Sequence, residues 1–361
     1  MFGFLERFRY DNDGSATLAD ELCAFIKDEI GFGRLKAGDQ FPTIKELAAA
    51  TGLTFRVARG VVERLSREGY VRSRPRVGTV VLPRDAAALH GRVLFVLPEV
   101  DASSYHATQI ADALRHRLAD AGYVFASAVY SQDSRTGLSF LKHELARMPD
   151  VVILMYGSPS VRAFLRDAGV KCIHVYGDAP EGDCSDWVRF SADEAIANFT
   201  AHCTRAGVKR VVEVRFEGND APEAREALAA AGIASVQKTI PRLDGLGRYE
   251  GIERSAYRTF LSLPISKFPD LFLFWDDFVA QGALTAFLKR GLSVPDAVKV
   301  VSLSNWGFGP VYAEPLTRFE CDAAKAGEKV ADFALAVLAK GRIPPPPVIS
   351  PQYVFGATFP Y

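Results

Sequence analysis

Apolar positions recur at helical spacing in the first part of the chain. Between residues 17 and 30 they follow the i, i+3, i+4 pattern of one amphipathic helix. Thr43 and Glu46 form a capping box, in which each side chain can bind the other's free backbone N–H, and this predicts the start of a short second helix. Thr54 can cap a third helix that ends near Glu68.

The third predicted helix has one apolar and one charged face. We expect its inward stripe to be Val57, Ala58, Val61, Val62 and Leu65. The opposite face carries Arg56, Arg59, Glu63 and Arg67. Two short apolar runs follow, at residues 70–71 and 79–82, and an arginine-rich stretch joins them. This pattern predicts a β-hairpin with a basic tip.

Beyond residue 91 the pattern changes to short apolar runs that alternate with helical segments. Such alternation predicts α/β architecture with parallel sheets covered by helices on both faces. The runs are too many for one small sheet, and residues 177–186, rich in Gly, Asp and Pro, offer a crossing point. We therefore predict two doubly wound lobes, with a ligand in the cleft at the carboxyl ends of their strands.

Charge is distributed unevenly along the chain. The 361 residues include 43 basic and 43 acidic side chains, which gives no net charge. Residues 43–84, however, hold nine of the basic side chains and only three of the acidic ones. Asymmetry of this kind is typical of a module that binds a polyanion such as nucleic acid.

Cysteine usage and apolar run lengths indicate a cytoplasmic protein without a membrane partner. The five cysteines form an odd set without a C-x-x-C pair, which disfavours a disulfide framework or a zinc ribbon. The first residues lack the apolar run of a signal peptide, and no later run reaches the about 18 apolar residues of a membrane span.

Several spaced motifs resemble the winged helix of the gluconate-repressor (GntR) family. They lie at residues 37–48, 52–54, 63–71 and 78–81. A helix-turn-helix of this kind places its second helix in the DNA major groove. Carried over from the family, the expected DNA contacts are Lys45, Thr54, Arg59 and Gly78, and placement on the third helix and hairpin adds Arg56, Arg74 and Arg76.

Two departures from the family pattern leave the operator sequence open. At the start of the recognition helix the family usually has Ser/Thr-Arg, whereas this chain reads Thr54-Phe55-Arg56, with the arginine displaced by one position. In the hairpin, Arg76 replaces the first Gly of the usual Gly-x-Gly-Thr.

Residues 274–284, 291–296 and 300–305 resemble the ligand-binding domain of the lactose-repressor (LacI) family, which has the periplasmic sugar-binding-protein fold. A winged helix joined to this domain is the arrangement of bacterial arabinose repressors. We therefore expect a DNA-binding domain at residues 1–82, a linker at 83–91 and an effector-binding and dimerisation domain at 92–361.

The expected pocket differs from the sugar-binding pattern of that family. Asp276 stands where Asn is usual, Ser304 where Asp is usual, and Asp220 where an Arg is usual. The resemblance therefore implies a neutral, sugar-like ligand rather than an anionic one. Aromatic side chains, Trp187 among them, could stack on a ring, and the expected contacts are Tyr105, Tyr156, Asp220, Asp276, Ser304, Asn305 and Trp306.

An enzymatic function is not supported by the sequence. It has no nucleophile elbow, no phosphate loop and no metal motif, so we expect no catalytic residue, metal or cofactor. The resemblances imply a homodimeric transcriptional regulator, a repressor in our interpretation, that binds a pseudo-palindromic operator and a small-molecule effector. Two alternatives stay open: an effector pocket that serves only dimerisation, and a sugar-binding protein without a regulatory role.

Overall fold

The computed structural model describes residues 3–10, 17–74, 78–83, 89–102, 104–131, 135–177, 186–219, 223–243, 248–339 and 342–360. The side chains of residues 74, 135–137 and 248 lie outside this description. The chain divides into two units. The first contains residues 1–102, 111–187 and 330–345, and the second contains residues 103–110, 188–329 and 346–361.

The amino-terminal part of the first unit is a winged helix. Its elements are α1 (Leu18–Gly31), β1 (Gln40–Phe41), α2 (Ile44–Thr51), α3 (Phe55–Arg67), β2 (Val71–Arg74) and β3 (Gly78–Val81). The strands form an antiparallel sheet in the order β1-β3-β2, and we call the β2–β3 hairpin the wing. Leu22, Leu47 and Leu65 join the three helices in one fully buried core.

The remainder of the first unit is a parallel α/β layer. Its elements are β4 (Gly91–Pro98), α4 (Tyr105–Asp120), β5 (Tyr123–Tyr130), α5 (Arg135–Ala146), β6 (Val151–Met155), α6 (Pro159–Asp167) and β7 (Cys172–Val175), although residues 105–110 of α4 belong to the second unit. The strands are parallel in the order β5-β4-β6-β7. Every residue of β4 is buried, as expected for a parallel strand with both faces covered.

The second unit contains a six-stranded sheet in the order β10-β9-β11-β12-β13-β15. The elements from residue 187 onwards are β8 (Trp187–Phe190), α7 (Asp193–Arg205), β9 (Arg210–Phe216), α8 (Arg225–Ala230), β10 (Ala234–Ile240), α9 (Arg248–Ser262), β11 (Leu271–Phe274), α10 (Asp277–Lys289), β12 (Lys299–Asn305), β13 (Thr317–Cys321), α11 (Ala323–Leu338), β14 (Val348–Ile349) and β15 (Gln352–Val354). All neighbours are parallel except β13 and β15.

Helices α9 and α10 pack closely against each other beside this sheet. A Cβ atom on Gly282 would lie 2.2 Å from the backbone oxygen of Glu253 and 2.9 Å from the Cβ of Ala256. Only glycine therefore allows this approach. The contact fixes the start of α10, which carries Asp276 and Asp277, against the carboxyl ends of the strands.

The predicted fold class is confirmed: a winged helix-turn-helix is followed by parallel α/β sheets. The sequence missed five strands, β1, β8, β13, β14 and β15. Two of them, β1 and β14, have only two residues each, too few for a hydrophobic period to show. The predicted inward position of Val57 is wrong, since its side chain is 38% exposed. The buried stripe of α3 is Ala58, Val61, Val62 and Leu65.

Candidate DNA interface and effector site

Side-chain caps fix the positions of α2 and α3. Thr43 and Glu46 make both bonds of the predicted capping box at the start of α2. Gly52 ends that helix in the left-handed conformation, with φ 72°, and so permits the tight turn. The hydroxyl of Thr54 then accepts a hydrogen bond from the N–H of Val57 at 3.4 Å. The first residues of α3 are thereby presented to solvent.

Four of the predicted DNA-binding side chains lie exposed on this surface: Lys45, Thr54, Arg56 and Arg59. The Nε of Arg59 donates a hydrogen bond to Glu63 at 2.9 Å, and both side chains are well exposed. Such an exposed pair contributes little to stability and leaves the guanidinium able to change partner.

The wing is described only in part. Gly78 begins β3 with φ 94°, in a region that favours glycine. The hydroxyls of Ser73 and Thr79 are hydrogen bonded across the hairpin at 2.9 Å. The side chain of Arg74 and all of Arg76 lie outside the described residues.

Arg64 has a structural role, in agreement with its exclusion from the predicted DNA contacts. Its guanidinium bonds Asp20 of α1 at 2.7 Å and Glu68 at 3.2 Å. Hydrogen bonds from Thr17 and Arg64 lower the pKa of Asp20. These contacts hold α1 against α3 on the side opposite the predicted DNA surface.

Sequence reasoning missed the apolar side chains at the start of the recognition helix. Phe55 is 52% exposed and stands beside the exposed Val57. Phe55 also lines a surface groove of about 400 Å³, together with Ile44 of α2 and Ser73 of the wing. The signal was present in the sequence as the displaced arginine of Thr54-Phe55-Arg56.

A chain of hydrogen bonds links three polar side chains at the carboxyl edge of the second unit's sheet. The Nδ2 of Asn305 donates to Asp277 at 3.2 Å. The Oδ1 of Asn305 therefore faces the Nδ1 of His106, at 3.0 Å, and the imidazole donates to it. Burial raises the pKa of Asp277 to about 6 and lowers the pKa of His106. We call these residues the His106–Asn305–Asp277 chain.

Aromatic rings surround this chain of hydrogen bonds within the second unit. Tyr105 stacks on Phe308 with ring centroids 4.5 Å apart, and Tyr249 stacks on Phe278 at the same distance. Phe278 also lies 6.1 Å from Phe308, so the four rings are continuous. The neighbouring Trp306 is exposed. The sequence analysis identified Tyr105 and Trp306 but missed Tyr249, Phe278 and Phe308.

Two predicted effector contacts have different local roles. Asp276 caps α10, since its Oδ1 accepts the N–H of Val279 at 2.9 Å. Ser304 is buried on β12, and its hydroxyl has no hydrogen-bond partner among the described residues.

Two aromatic positions, Tyr156 and Trp187, stand apart from this group. Tyr156 belongs to the first unit, where it contacts Tyr176 with ring centroids 5.4 Å apart. Trp187 is buried and stacks on His174, so it is a core side chain. Asp220 lies outside the described residues.

Arg242 carries a guanidinium that the sequence analysis did not consider. This residue follows β10, and its side chain lies over the ring of Phe216, 5.2 Å from the centroid. One of its terminal nitrogens lies 3.6 Å from where a Cβ on Gly218 would be. The carboxyl end of the sheet therefore carries a cation near Phe216 and Gly218, and the expected preference for a neutral ligand stays a prediction.

Comparison with known proteins gives two family matches. Residues 162–359 match the periplasmic binding protein-like domain, and residues 18–81 match the bacterial regulatory proteins of the gntR family. A search of curated proteins gave no match.

Solved structures of similar fold include several transcriptional regulators. A LacI family regulator from Arthrobacter sp. FB24, in complex with lactose, is 17% identical with a TM-score of 0.58, and the match covers 74% of this chain and 99% of that chain. A LacI family regulator from Bifidobacterium animalis subsp. lactis is 14% identical with a TM-score of 0.58, and the match covers 74% of this chain and 97% of that chain. The lac repressor dimer bound to operator and the anti-inducer ONPF is 16% identical with a TM-score of 0.58, and the match covers 75% of this chain and 94% of that chain.

The exposed recognition helix and the gntR-family match of residues 18–81 define a DNA-binding transcriptional regulator. The chain belongs to the periplasmic binding protein-like domain family, which its sequence matches over more than half its length, and it carries a gntR-family helix-turn-helix at its amino-terminal end. Within the described parts of the chain, no helix has the length and apolar character needed to cross a bilayer.

Proposed function

We propose that this protein is a cytoplasmic repressor that binds a pseudo-palindromic operator as a homodimer and senses a small sugar-like effector. The observation that carries the proposal is the pairing of an exposed, arginine-bearing recognition helix with a polar, aromatic-lined edge on a separate sheet. A two-fold dimer would place two recognition helices on equivalent half-sites one helical turn apart.

In this proposal the winged helix contacts DNA through two sets of residues. Thr54, Arg56 and Arg59 lie at the start of α3, the part of a recognition helix that reaches base edges. Lys45 on α2 and Gly78 on the wing approach the phosphates, together with Arg74 and Arg76. The exposure of the four described side chains among these supports the assignment.

The proposed effector site is the carboxyl edge of the second unit's sheet. The His106–Asn305–Asp277 chain offers acceptors and donors for hydroxyl groups. Trp306 and Phe308 offer apolar ring faces of the kind that pack on a sugar ring. The similar regulator from Arthrobacter sp. FB24 was solved with lactose, which supports the choice of a sugar. Asp220, Asp276 and Ser304 stay proposed contacts of this site, and the predicted role of Tyr156, which belongs to the first unit, stays a separate prediction.

A thermal-shift screen against a sugar library, followed by calorimetry, tests this site. The library should include arabinose and pairs of a neutral sugar with its phosphate or uronate, since Arg242 and the carboxylates act in opposite directions. We expect one sugar to bind the wild type and to lose affinity in Trp306→Ala, while the matched control Phe140→Ala, on α5 of the first unit, binds normally.

Two outcomes would favour the alternatives. Binding of no library member would favour a pocket that serves only dimerisation. Binding of a sugar by a chain that shifts no DNA fragment, in gel-shift assays with fragments selected from a random pool, would favour a sugar-binding protein without a regulatory role.

A further inference from the structure

The start of the recognition helix combines exposed apolar and basic side chains. Phe55 and Val57 are among the exposed large apolar residues, and Arg56 between them is exposed as well. Phe55 is the first residue of α3, directly after the Thr54 cap. A half-exposed phenylalanine leaves apolar surface in contact with water, so covering its ring with a binding partner is favourable.

The core of the winged helix does not supply that partner. The buried stripe of α3 runs through Ala58, Val61 and Leu65. Among the described residues that pack against this core, Ile44 and Leu53 cover it at the α2–α3 turn, and Phe55 is not one of them. The ring instead lies at the rim of the groove between α3 and the wing.

The charge around Phe55 fits double-stranded DNA better than an apolar protein partner. Lys45, Arg56 and Arg59 are exposed on the same part of the winged helix. These cations match a phosphate backbone, and they would be costly to bury against an apolar surface. The first residues of a recognition helix reach the base edges of the major groove, where the thymine C5-methyl group is the apolar feature.

We propose that Phe55, assisted by Val57, is a specificity-determining residue that reads thymine methyl groups in each operator half-site. This inference rests on DNA binding by the winged helix. Arg56 and Arg59 supply the charged contacts on either side, and the aromatic ring selects thymine at the base pair it faces. An arginine at position 55 would instead prefer guanine, whose O6 and N7 accept a bidentate contact.

Selection of binding sites from a random duplex pool by the full-length protein tests the proposal. We expect the wild type to enrich a site with a fixed thymine in each half. Phe55→Ala should lose the preference at that base pair alone and weaken binding by about tenfold for each half-site, the cost of one mismatched base pair there. Phe55→Arg should change the preferred base from thymine to guanine.

Replacing the selected thymine by deoxyuridine isolates the methyl group. Wild-type affinity should fall about fourfold, the value of one buried methyl-sized group, whereas the affinity of Phe55→Ala should not change. Leu288→Ala, which removes an equally exposed apolar side chain from α10 of the second unit, serves as the control and should behave as wild type. Thermal melting curves should be the same for all variants, since Phe55 lies outside the core.

These experiments distinguish a failure of the proposed role of Phe55 from a failure of DNA binding by the winged helix. A selected site whose affinity is the same with thymine and deoxyuridine, or an unchanged preference in Phe55→Arg, would overturn the role of Phe55 while DNA binding stands. Enrichment of no sequence by the wild type would overturn both.

Discussion

Asp277 is a buried carboxyl group that lowers the folding stability of the second unit when it is ionised. Asp277 is only 8% exposed, and its carboxyl group accepts hydrogen bonds from the side chain of Asn305 and from backbone N–H groups, including that of Phe278. Its pKa is raised to about 6 by burial, so the ionised form is unfavourable in the folded chain. A site that keeps such a group forgoes stability, which is typical of a binding function.

Asp277→Asn should therefore stabilise the protein at neutral pH. Between about pH 4 and pH 6 the folded chain retains a proton that the unfolded chain has released, so ionisation of Asp277 reduces stability as the pH rises through this window. We expect the variant to exceed the wild type in free energy of unfolding by about 2 kcal/mol at pH 7.5, with the difference vanishing near pH 4.

Urea denaturation at several pH values measures this difference. His106 is present in both proteins, so its own titration cancels to first order. Asp167→Asn, at an exposed position on α6, is the control and should show no such trend. A difference that is constant with pH would contradict the account of Asp277.

Arg59 is the residue on which the DNA interface is tested most simply. Because it is exposed on α3 and its ion pair with Glu63 is exposed too, Arg59→Ala should leave the fold intact. We expect operator affinity to fall by about 1–3 kcal/mol, the worth of one base contact. Arg67→Ala, in the last turn of the same helix, should have a much smaller effect, and equal losses for the two variants would show that the contact is not local.

At the scale of elements, α1 joins the winged helix to the α/β layer of the first unit. Arg92 at the start of β4 is buried, 3.2 Å from Glu144 of α5 and 3.8 Å from Asp28 of α1. His143 of α5 lies 3.4 Å from Glu21 of α1. These ion pairs form a polar interface within the first unit that connects α1 of the winged helix with β4 and α5 of the α/β layer.

Arg92→Ala should destabilise the first unit. The substitution removes the buried cation that contacts both Glu144 and Asp28, and breaking a buried pair costs about 3 kcal/mol. Asp28→Asn, which removes only the longer and more exposed contact, should cost about 1 kcal/mol or less. Chemical denaturation of the full-length protein compares the two, and equal effects would contradict the assignment of Arg92 to a buried network.

Replacing a glycine by alanine should change stability in opposite directions at the α9–α10 contact and on the exposed face of α3. Gly282→Ala should destabilise the second unit by about 1–3 kcal/mol, because the new methyl group overlaps the backbone of Glu253. A Cβ on Gly60 of α3 would meet no described atom within 4 Å outside its own helical turn. Gly60→Ala should therefore stabilise α3 by about 0.5–1 kcal/mol. Thermal melting of each variant gives the sign, and destabilisation by both would contradict the helix packing described.

Element patterns explain what the sequence could and could not predict. Capping residues and long apolar periods were enough to locate α1, α2, α3 and the buried strands. Strand β13 was missed because it has only five residues, so the alternation of its buried Thr317, Phe319 and Cys321 with Arg318 and Glu320 is short.

Less of the candidate site could be predicted because its residues are brought together by tertiary structure. Asp276 stays a predicted ligand group, and the structure adds that it caps α10 and that its neighbour Asp277 bonds Asn305. His106, Phe278 and Arg242 come from distant parts of the sequence and carry no local motif. Only the fold of the second unit shows that they share one edge of the sheet.

At the scale of the whole molecule, the proposal is a statement about linkage. A ligand bound in the second unit can alter operator affinity only if it binds one state of the dimer better than another. Operator DNA must then change ligand affinity by the same factor. The account therefore requires a measurable coupling free energy, whichever direction the effect takes.

The coupling itself is the most direct test. Fluorescence anisotropy with the selected operator gives the Kd of the full-length protein, alone and with saturating amounts of the sugar found by calorimetry. We predict a change in Kd of about fivefold or more, absent in Trp306→Ala, and an equal reciprocal change in sugar affinity when operator is present. Equal operator affinity with and without bound sugar would contradict the proposed regulator.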